Sequence, residues 1–306
     1  MKRAVVTGAT SFIGIALIKE LIKANYEVIA IIRPSSLRKT LLWTLCPKIK
    51  LIECELNQLN RAELNVEQCN VLFHIGWASD FSNSRYNLEG QMRNVKYCEY
   101  SVELAARYGC EAYLCVGSQA ECGVINEPIT SYTKENPMTA YAEAKCIANT
   151  KTKDFCKIYG IKHYWPRLLS AYGPYDRNTT MIMSCIQACR DRKILKLTPA
   201  EQIWDFVYVE NVAKALLAIV EKGNPIKRYP IASGTGKELK EYIADIAKIM
   251  DFPEILKGIG QKNYTENQVM YLVGDIKELQ NDTGVCMDYD FEQGIRDIVK
   301  LFINPS

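Results

Sequence analysis

A chain of 306 residues with 48% hydrophobic and 24% charged residues can bury a large core, which excludes both a disordered protein and a mini-protein held together by staples. Its 38 Lys and Arg against 35 Asp and Glu leave a net charge of +3, too small and too dispersed for a nucleic-acid surface. No apolar run approaches the roughly 20 residues that span a bilayer, and Met1-Lys2-Arg3 leads at once into Ala4-Val5-Val6-Thr7 rather than into a leader with a cleavage site, so no membrane role and a cytoplasmic location are expected.

Short β-rich runs at Val5–Thr7, Val28–Ile32, Lys50–Glu53, Val71–His74, Tyr113–Val116 and Lys162–Pro166 alternate with helical patterns near 13–24, 85–108 and 139–159. Runs apolar enough to be buried on both faces, alternating with helices, predict an α/β fold: a Rossmann-type doubly wound parallel sheet. After about residue 175 the pattern is less regular, with helices expected near 179–192, 211–222, 237–250 and 291–302 and a strand at 205–209. Residues 1–174 are therefore assigned to the sheet domain, with about 204–232 returning to it, and 175–306 mainly to a smaller C-terminal α/β substrate-binding lobe. The twelve cysteines show no C-x-x-C pair and only two histidines accompany them, His74 and His163, so reduced, buried thiols and no metal centre are expected.

The first strand runs into Thr7-Gly8-Ala9-Thr10-Ser11-Phe12-Ile13-Gly14 and a helix follows immediately. Glycines at such a turn allow the tight bend and the close approach of backbone to a pyrophosphate, which the free N–H groups of the helix N-terminus then bind; Ser11 stands where a third glycine is usual. The end of the second strand separates two cofactors, because a carboxylate there holds a ribose hydroxyl whereas an arginine pairs with a 2′-phosphate. Arg33-Pro34-Ser35-Ser36, with Arg38 and Lys39 just beyond, favours NADP over NAD; the competing role for Arg33 is a cap on a surface turn.

Further along, Glu55-Leu56, Phe73-His74-Ile75-Gly76-Trp77, Asn87 with Gly90, Gly117-Ser118 with Gly123, Tyr141 with Lys145, Arg167 with Tyr172-Gly173-Pro174, and Trp204-Asp205-Phe206-Val207-Tyr208-Val209-Glu210-Asn211 follow in order. In that order they resemble the extended short-chain dehydrogenase/reductases (the NAD-dependent epimerase/dehydratase family), in the branch that modifies nucleotide-linked sugars. The resemblance implies cofactor contacts at Glu55, Leu56 and His74, and substrate contacts at Ser79, Ser118, Gln119, Ser170, Asn178 and Trp204. It also implies a homodimer through the helices at 85–108 and 139–159, whose apolar positions include Val95, Val102, Ala105, Ile147 and Phe155; the competing reading packs these on the sheet.

Tyr141 and Lys145, four apart, project from one face of a helix. A tyrosine phenol titrates near pH 10, so a proton shuttle near neutrality needs a fall of about 3 in pKa, about 4 kcal/mol, and a lysine ammonium on the same face supplies charge of the right sign. Ser118, at the carboxyl edge of the sheet, can orient a carbonyl oxygen. By resemblance Asn87 supports a proton relay to Lys145, with helix packing as the alternative role. His74 reads as a strand-end histidine hydrogen-bonded beside the cofactor, not as a base.

Two departures narrow the substrate: Cys122 stands where relatives carry tyrosine, and Trp204 where an arginine often precedes Asp-Phe. The stretch Leu197–Phe206 is similar to the branch of CDP-abequose and CDP-paratose synthases and related 4-keto-6-deoxysugar reductases. The favoured expectation is NADPH-dependent reduction at C4 of a CDP- or dTDP-linked 4-keto-6-deoxyhexose. The alternatives are an NAD-dependent 4-epimerase and a cofactor-binding sensor or scaffold without catalysis. A dehydratase is less supported, since Gln119 and Ala120 follow Ser118 where those relatives place acids.

Overall fold

The apolar runs of the first half become the strands of one parallel sheet in a computed structural model of the protein, which describes residues 1–78, 82–266 and 268–303. Strand β1 (Arg3–Thr7) leads into helix α1 (Phe12–Lys23), then β2 (Glu27–Ile32), α2 (Lys39–Leu45), β3 (Lys50–Glu53) and β4 (Val71–His74). Helix α3 (Leu88–Arg107), β5 (Ala112–Cys115), β6 (Gly117–Ser118), α4 (Ala140–Tyr159) and β7 (Lys162–Tyr164) follow. Six of these strands pair in the order β3-β2-β1-β4-β5-β7, all parallel. Both sheet faces are covered, which is why the strands read as near-continuous apolar runs instead of alternating ones.

Side-chain parity assigns the two layers. Ala4, Val6, Phe73 and Leu114 pack on the side of α1, whereas Val5, Leu72, Tyr113 and Cys115 pack with α3 and α4, as the two-residue period of a strand requires. The α3 and α4 positions offered as a dimer face are spent here: Val95, Val102 and Ala105 are buried against the sheet of their own chain, and Ile147 and Phe155 are partly buried beside them.

The expected strand Tyr113–Val116 is displaced at its end, because the chain kinks after Cys115 and Gly117–Ser118 pairs with β8 (Arg167–Leu168) instead of continuing along β7. Strand β8 also pairs with β12 (Pro230–Ile231), and β9 (Ser170–Tyr172) pairs with β11 (Phe206–Tyr208). Between and beyond them lie α5 (Met181–Arg190), β10 (Ile203–Trp204), α6 (Val209–Lys222), β13 (Lys237–Glu238), α7 (Leu239–Ile249), β14 (Tyr271–Leu272), α8 (Lys277–Thr283) and α9 (Phe291–Ile303). Val207, Val212, Ala215, Tyr229 and Ile231 enter the same core as β1, joined by Leu279 and Val285. A second cluster, around Ile182, Ile186, Ile243, Ile246 and Ile295, packs α5, α7 and α9 together.

One carboxylate ties the lobe's loops to that frame. Asp205, fully buried between β10 and β11, accepts hydrogen bonds from Ser233 N (2.8 Å), Ser233 Oγ (2.7 Å), Gly234 N (3.1 Å) and Gly274 N (3.3 Å). A buried charge is tolerated only when its lone pairs are met in this way.

Among the described residues no helix is long and apolar enough to cross a membrane.

Candidate active site

At the carboxyl end of β1 the chain turns so tightly that side chains have no room. Gly8 has φ +67°, and a Cβ on it would lie 2.7 Å from Gly76 N; one on Gly14 would lie 2.4 Å from Gly8 O. Ser11 takes over the work of a third glycine by capping α1, its Oγ accepting from Gly14 N at 3.0 Å. Thr10 Oγ1 accepts from Ser36 Oγ at 3.0 Å, which draws the loop after β2 over the turn; the sequence of that loop had pointed to Arg33 and Arg38 and not to Ser36. Phe12 and Ile13 pack their side chains, partly buried, against the core. Leu56 packs against Gly76, and Glu55 precedes the short helical turn Leu56–Arg61.

The cradle suits a dinucleotide: bare backbone, a helix N-terminus with unsatisfied N–H groups, and two cations beyond β2. Arg33 is exposed and Arg38 half-buried, and among the described residues neither is in an ion pair, whereas Lys39 is held by Glu53.

Helix α4 presents the candidate acid. Thr139 caps it, accepting from Ala142 N at 3.1 Å, so Tyr141 and Lys145 sit in the first two turns. Lys145 is only 5% exposed, and its Nζ donates to Val116 O at 2.7 Å, the last residue before β6. The ammonium lies 3.7 Å above the Trp77 ring centroid and 5.9 Å from that of Tyr141, a desolvated cation–π geometry. Burial alone would depress the lysine; Tyr141, Cys115, Cys98 and Glu121 outweigh it and hold the ammonium above the usual range. Tyr141 is further fixed by the Trp77 ring, edge-on at 5.9 Å and 82°, and by the Arg85 guanidinium, 4.5 Å over its own ring. Trp77 Nε1 donates to Gln91 Oε1 at 2.9 Å, which sets the indole's orientation.

Ser118 is placed from below by a buried acid. Glu121, fully enclosed, accepts from Ser118 N (2.7 Å) and Trp165 Nε1 (3.0 Å) through Oε1 and from Arg167 Nε (3.3 Å) through Oε2. Ser118 Oγ in turn accepts from Ala120 N at 3.2 Å, completing a capping box and leaving its O–H to donate outward. Arg167, also without exposure, donates to Thr133 O at 2.6 Å. Gly117 is required beside this clamp, since a Cβ there would lie 2.4 Å from Trp165 Nε1 and 2.7 Å from Glu121 Oε1.

His74 shares a hydrogen bond with Thr7 Oγ1 through Nδ1 at 2.8 Å, and burial, with Lys145 nearby, lowers its pKa to about 3. It is a neutral strand-end residue at physiological pH, not a base in waiting.

Asn87 serves the helix that it opens. It is the exposed N-cap of α3, accepting from Gly90 N at 3.1 Å, so its side chain is used by the helix. The buried asparagine of that helix is Asn94, which brackets Ala78 by accepting from its N at 2.8 Å and donating to its O at 2.9 Å. A signal for it existed: Gln91 and Asn94 interrupt the buried stripe that continues through Val95, Cys98 and Val102, and polar groups on a core-facing stripe need a reason.

Of the substrate-side residues, Ser170 and Trp204 come together, Trp204 Nε1 donating to Ser170 Oγ at 2.7 Å. Gln119 opens the short helical turn after Ser118. Asn178 is exposed before α5, its O accepting from Ser184 Oγ at 3.3 Å. Ser79 lies outside the described residues. Cys122, the departure from tyrosine, is buried with Ile129, Leu169 and Leu272. A cavity of about 520 Å³ opens in the lobe among Tyr172, Phe206, Lys237, Tyr242 and Phe291; none of Ser118, Tyr141 and Lys145 lines it.

Comparisons with known proteins bear on the family and the fold. Residues 4–232 match the model of the NAD dependent epimerase/dehydratase family. A CDP-abequose synthase of Salmonella muenchen is 27% identical over 257 residues, covering 81% of this chain and 80% of that protein. Among solved structures, a UDP-glucose 4-epimerase of Thermotoga maritima, with UDP-glucose, superposes with a TM-score of 0.87 at 19% identity over 99% of both chains. A dTDP-glucose 4,6-dehydratase of Bacillus anthracis, in complex with NAD, does so with a TM-score of 0.83 at 18% identity, over 99% of this chain and 97% of that one.

Proposed function

Because the chain belongs to the NAD dependent epimerase/dehydratase family, we propose that it reduces the C4 keto group of a nucleotide-linked 4-keto-6-deoxyhexose, with NADPH as the reductant. The observation that carries this reading is the enclosed Lys145 ammonium one turn below Tyr141, with Ser118 held at the same strand edge. The turn from Gly8 to Gly14 would hold the cofactor's pyrophosphate and Arg33 and Arg38 its 2′-phosphate, and the group would supply hydride.

The protein's own groups then handle charge and protons. Ser118 O–H donates to the sugar's carbonyl oxygen and orients it. As C4 gains hydride that oxygen becomes an alkoxide, and Tyr141 gives up its phenolic proton to it. The phenolate left behind faces Lys145 and Arg85, two cations in place before the reaction. The Trp77 face over Lys145 keeps water from the ammonium and so strengthens its field. Asn94, by fixing Ala78, shapes the wall next to Trp77.

Net reduction is favoured over epimerisation by Arg33 and Arg38, neither of which is in an ion pair among the described residues, by Trp204 in place of an arginine, and by the CDP-abequose synthase relative. A CDP- or dTDP-linked substrate belongs to the same reading. So does a homodimer through α3 and α4, supported now by exposed Leu88, Met92, Ile158 and Tyr159 instead of the buried positions; sedimentation reads its mass.

The test is consumption of NADPH by the purified protein with CDP- and dTDP-linked 4-keto-6-deoxyglucose, beside Tyr141→Phe and an NADH control. Oxidation of NADPH that the Phe variant abolishes is the expected result. Interconversion of sugars without net oxidation, with NAD retained, moves the protein to the 4-epimerases, and tight cofactor binding with no turnover of any keto sugar moves it to the sensors.

A further inference from the structure

The side of the sheet that faces α3 and α4 gathers three soft donors that the proposed reaction does not use. His74 and Cys115 are register partners on β4 and β5, and Cys98 comes down from α3. One ring nitrogen of His74 and the two Sγ atoms lie within 4.8 Å of one another. All three residues are buried, Cys98 and Cys115 completely. His74 Nδ1 is occupied by Thr7 Oγ1, while Nε2 is buried with no partner at all. An unmet buried nitrogen is costly and calls for an explanation, and a histidine steadied through one nitrogen with the other bare is the arrangement of a metal ligand.

We propose that His74 Nε2, Cys98 Sγ and Cys115 Sγ bind one soft monovalent cation, of which Cu(I) is the type. Thiolate and imidazole donors select such ions. The charges close: two thiolates, the Lys145 ammonium and one monovalent ion sum to zero, whereas a divalent ion leaves a buried excess. Each sulfur–metal bond forms as the thiol proton leaves for solvent, and no electron changes hands. The thiols are already unequal, since burial pushes Cys98 up while the Cys98 hydrogen bond and Lys145 outweigh burial and bring Cys115 down. The spacing of the residues along the chain conceals the site, because each donor lies on a different element.

The reduced protein is titrated anaerobically against the coloured Cu(I)–bicinchoninate complex. The wild type is expected to withdraw one Cu(I) per chain. Cys98→Ala and Cys98→Ser should weaken that transfer by at least about 100-fold, with far-ultraviolet dichroism confirming that at least one variant is folded. Cys146→Ala, which alters the only other described cluster of this kind, should leave transfer unchanged. No withdrawal by the wild type, withdrawal undiminished in the Cys98 variants, or equal loss in Cys146→Ala overturns the proposal.

Discussion

The parallel sheet and the C-terminal lobe hold their working residues by different means. In the sheet, β1, β2, β4 and β5 run four to six residues, and main-chain register alone sets Thr7 beside His74 and His74 beside Cys115. In the lobe, β10, β13 and β14 have two residues each, too few to fix a register, and the loops between them converge on Asp205. Where strands are long, side chains are free for chemistry; where strands are short, a side chain must do the work of a strand.

That contrast can be broken in several ways. Tyr141→Phe, on the sheet side, should lower kcat by about 10²–10⁴-fold with an unchanged denaturation midpoint, since the phenol has no part in holding the frame. A large loss of stability would show that catalysis and architecture are not separable there. Glu121→Ala should cost about 3–5 kcal/mol, because it takes from the buried Arg167 guanidinium its enclosed acid and leaves only the half-exposed Glu135 at 4.0 Å; urea unfolding measures this, and a change below about 1 kcal/mol would place the pair among surface bridges. Asp205→Ala strands three main-chain donors, of Ser233, Gly234 and Gly274, and should cost about 1–3 kcal/mol. Its signature is local: amide exchange quickens at 233–236 and 272–276 while β1 keeps its protection, and equal loosening of β1 would erase the distinction between the regions.

Acid should act on the sheet through its two histidines. Burial lowers the pKa of His74 to about 3 and of His163 to about 4, and both lie on sheet strands. Unfolded, each takes a proton near pH 6.5. Below that pH the unfolded state binds more protons, so stability falls as pH drops, by about 1.4 kcal/mol per pH unit for each histidine, until the folded-state values are reached. Above about pH 6.5 the two contribute no slope. His163→Gln should halve the slope these residues cause, and an unaltered slope would mean that His163 is charged in the folded protein.

The sequence was most informative where local geometry and chemistry coincide. Lys50–Glu53 and Val71–His74 are strands with the bounds their apolar runs suggest, and Tyr141 and Lys145 share a face because helix pitch alone dictates it. Asn87 and Asn94 could not be told apart by motif order, since both stand near the start of α3 and only packing decides which one caps and which is buried. The strands of the lobe were illegible for a simpler reason: two residues show no period. Glu121 gave no signal in the sequence, because only Ser118 stands beside it there; the fold brings Trp165 and Arg167 to its carboxylate from one segment, 44 and 46 residues away. The α3 and α4 positions illustrate an ambiguity of amphipathic helices, whose apolar stripe says that something covers it without saying what.

Three of the four bonds that reach Asp205 come from main-chain N–H groups, of Ser233, Gly234 and Gly274. Such an anchor is nearly blind to the side chains on the loops it holds. Lys237, which flanks the lobe cavity, could therefore be exchanged for residues of other size and charge while the loop kept its course. A lobe built this way can change the side chains around its cavity without first surrendering its fold, so diversification requires few simultaneous changes.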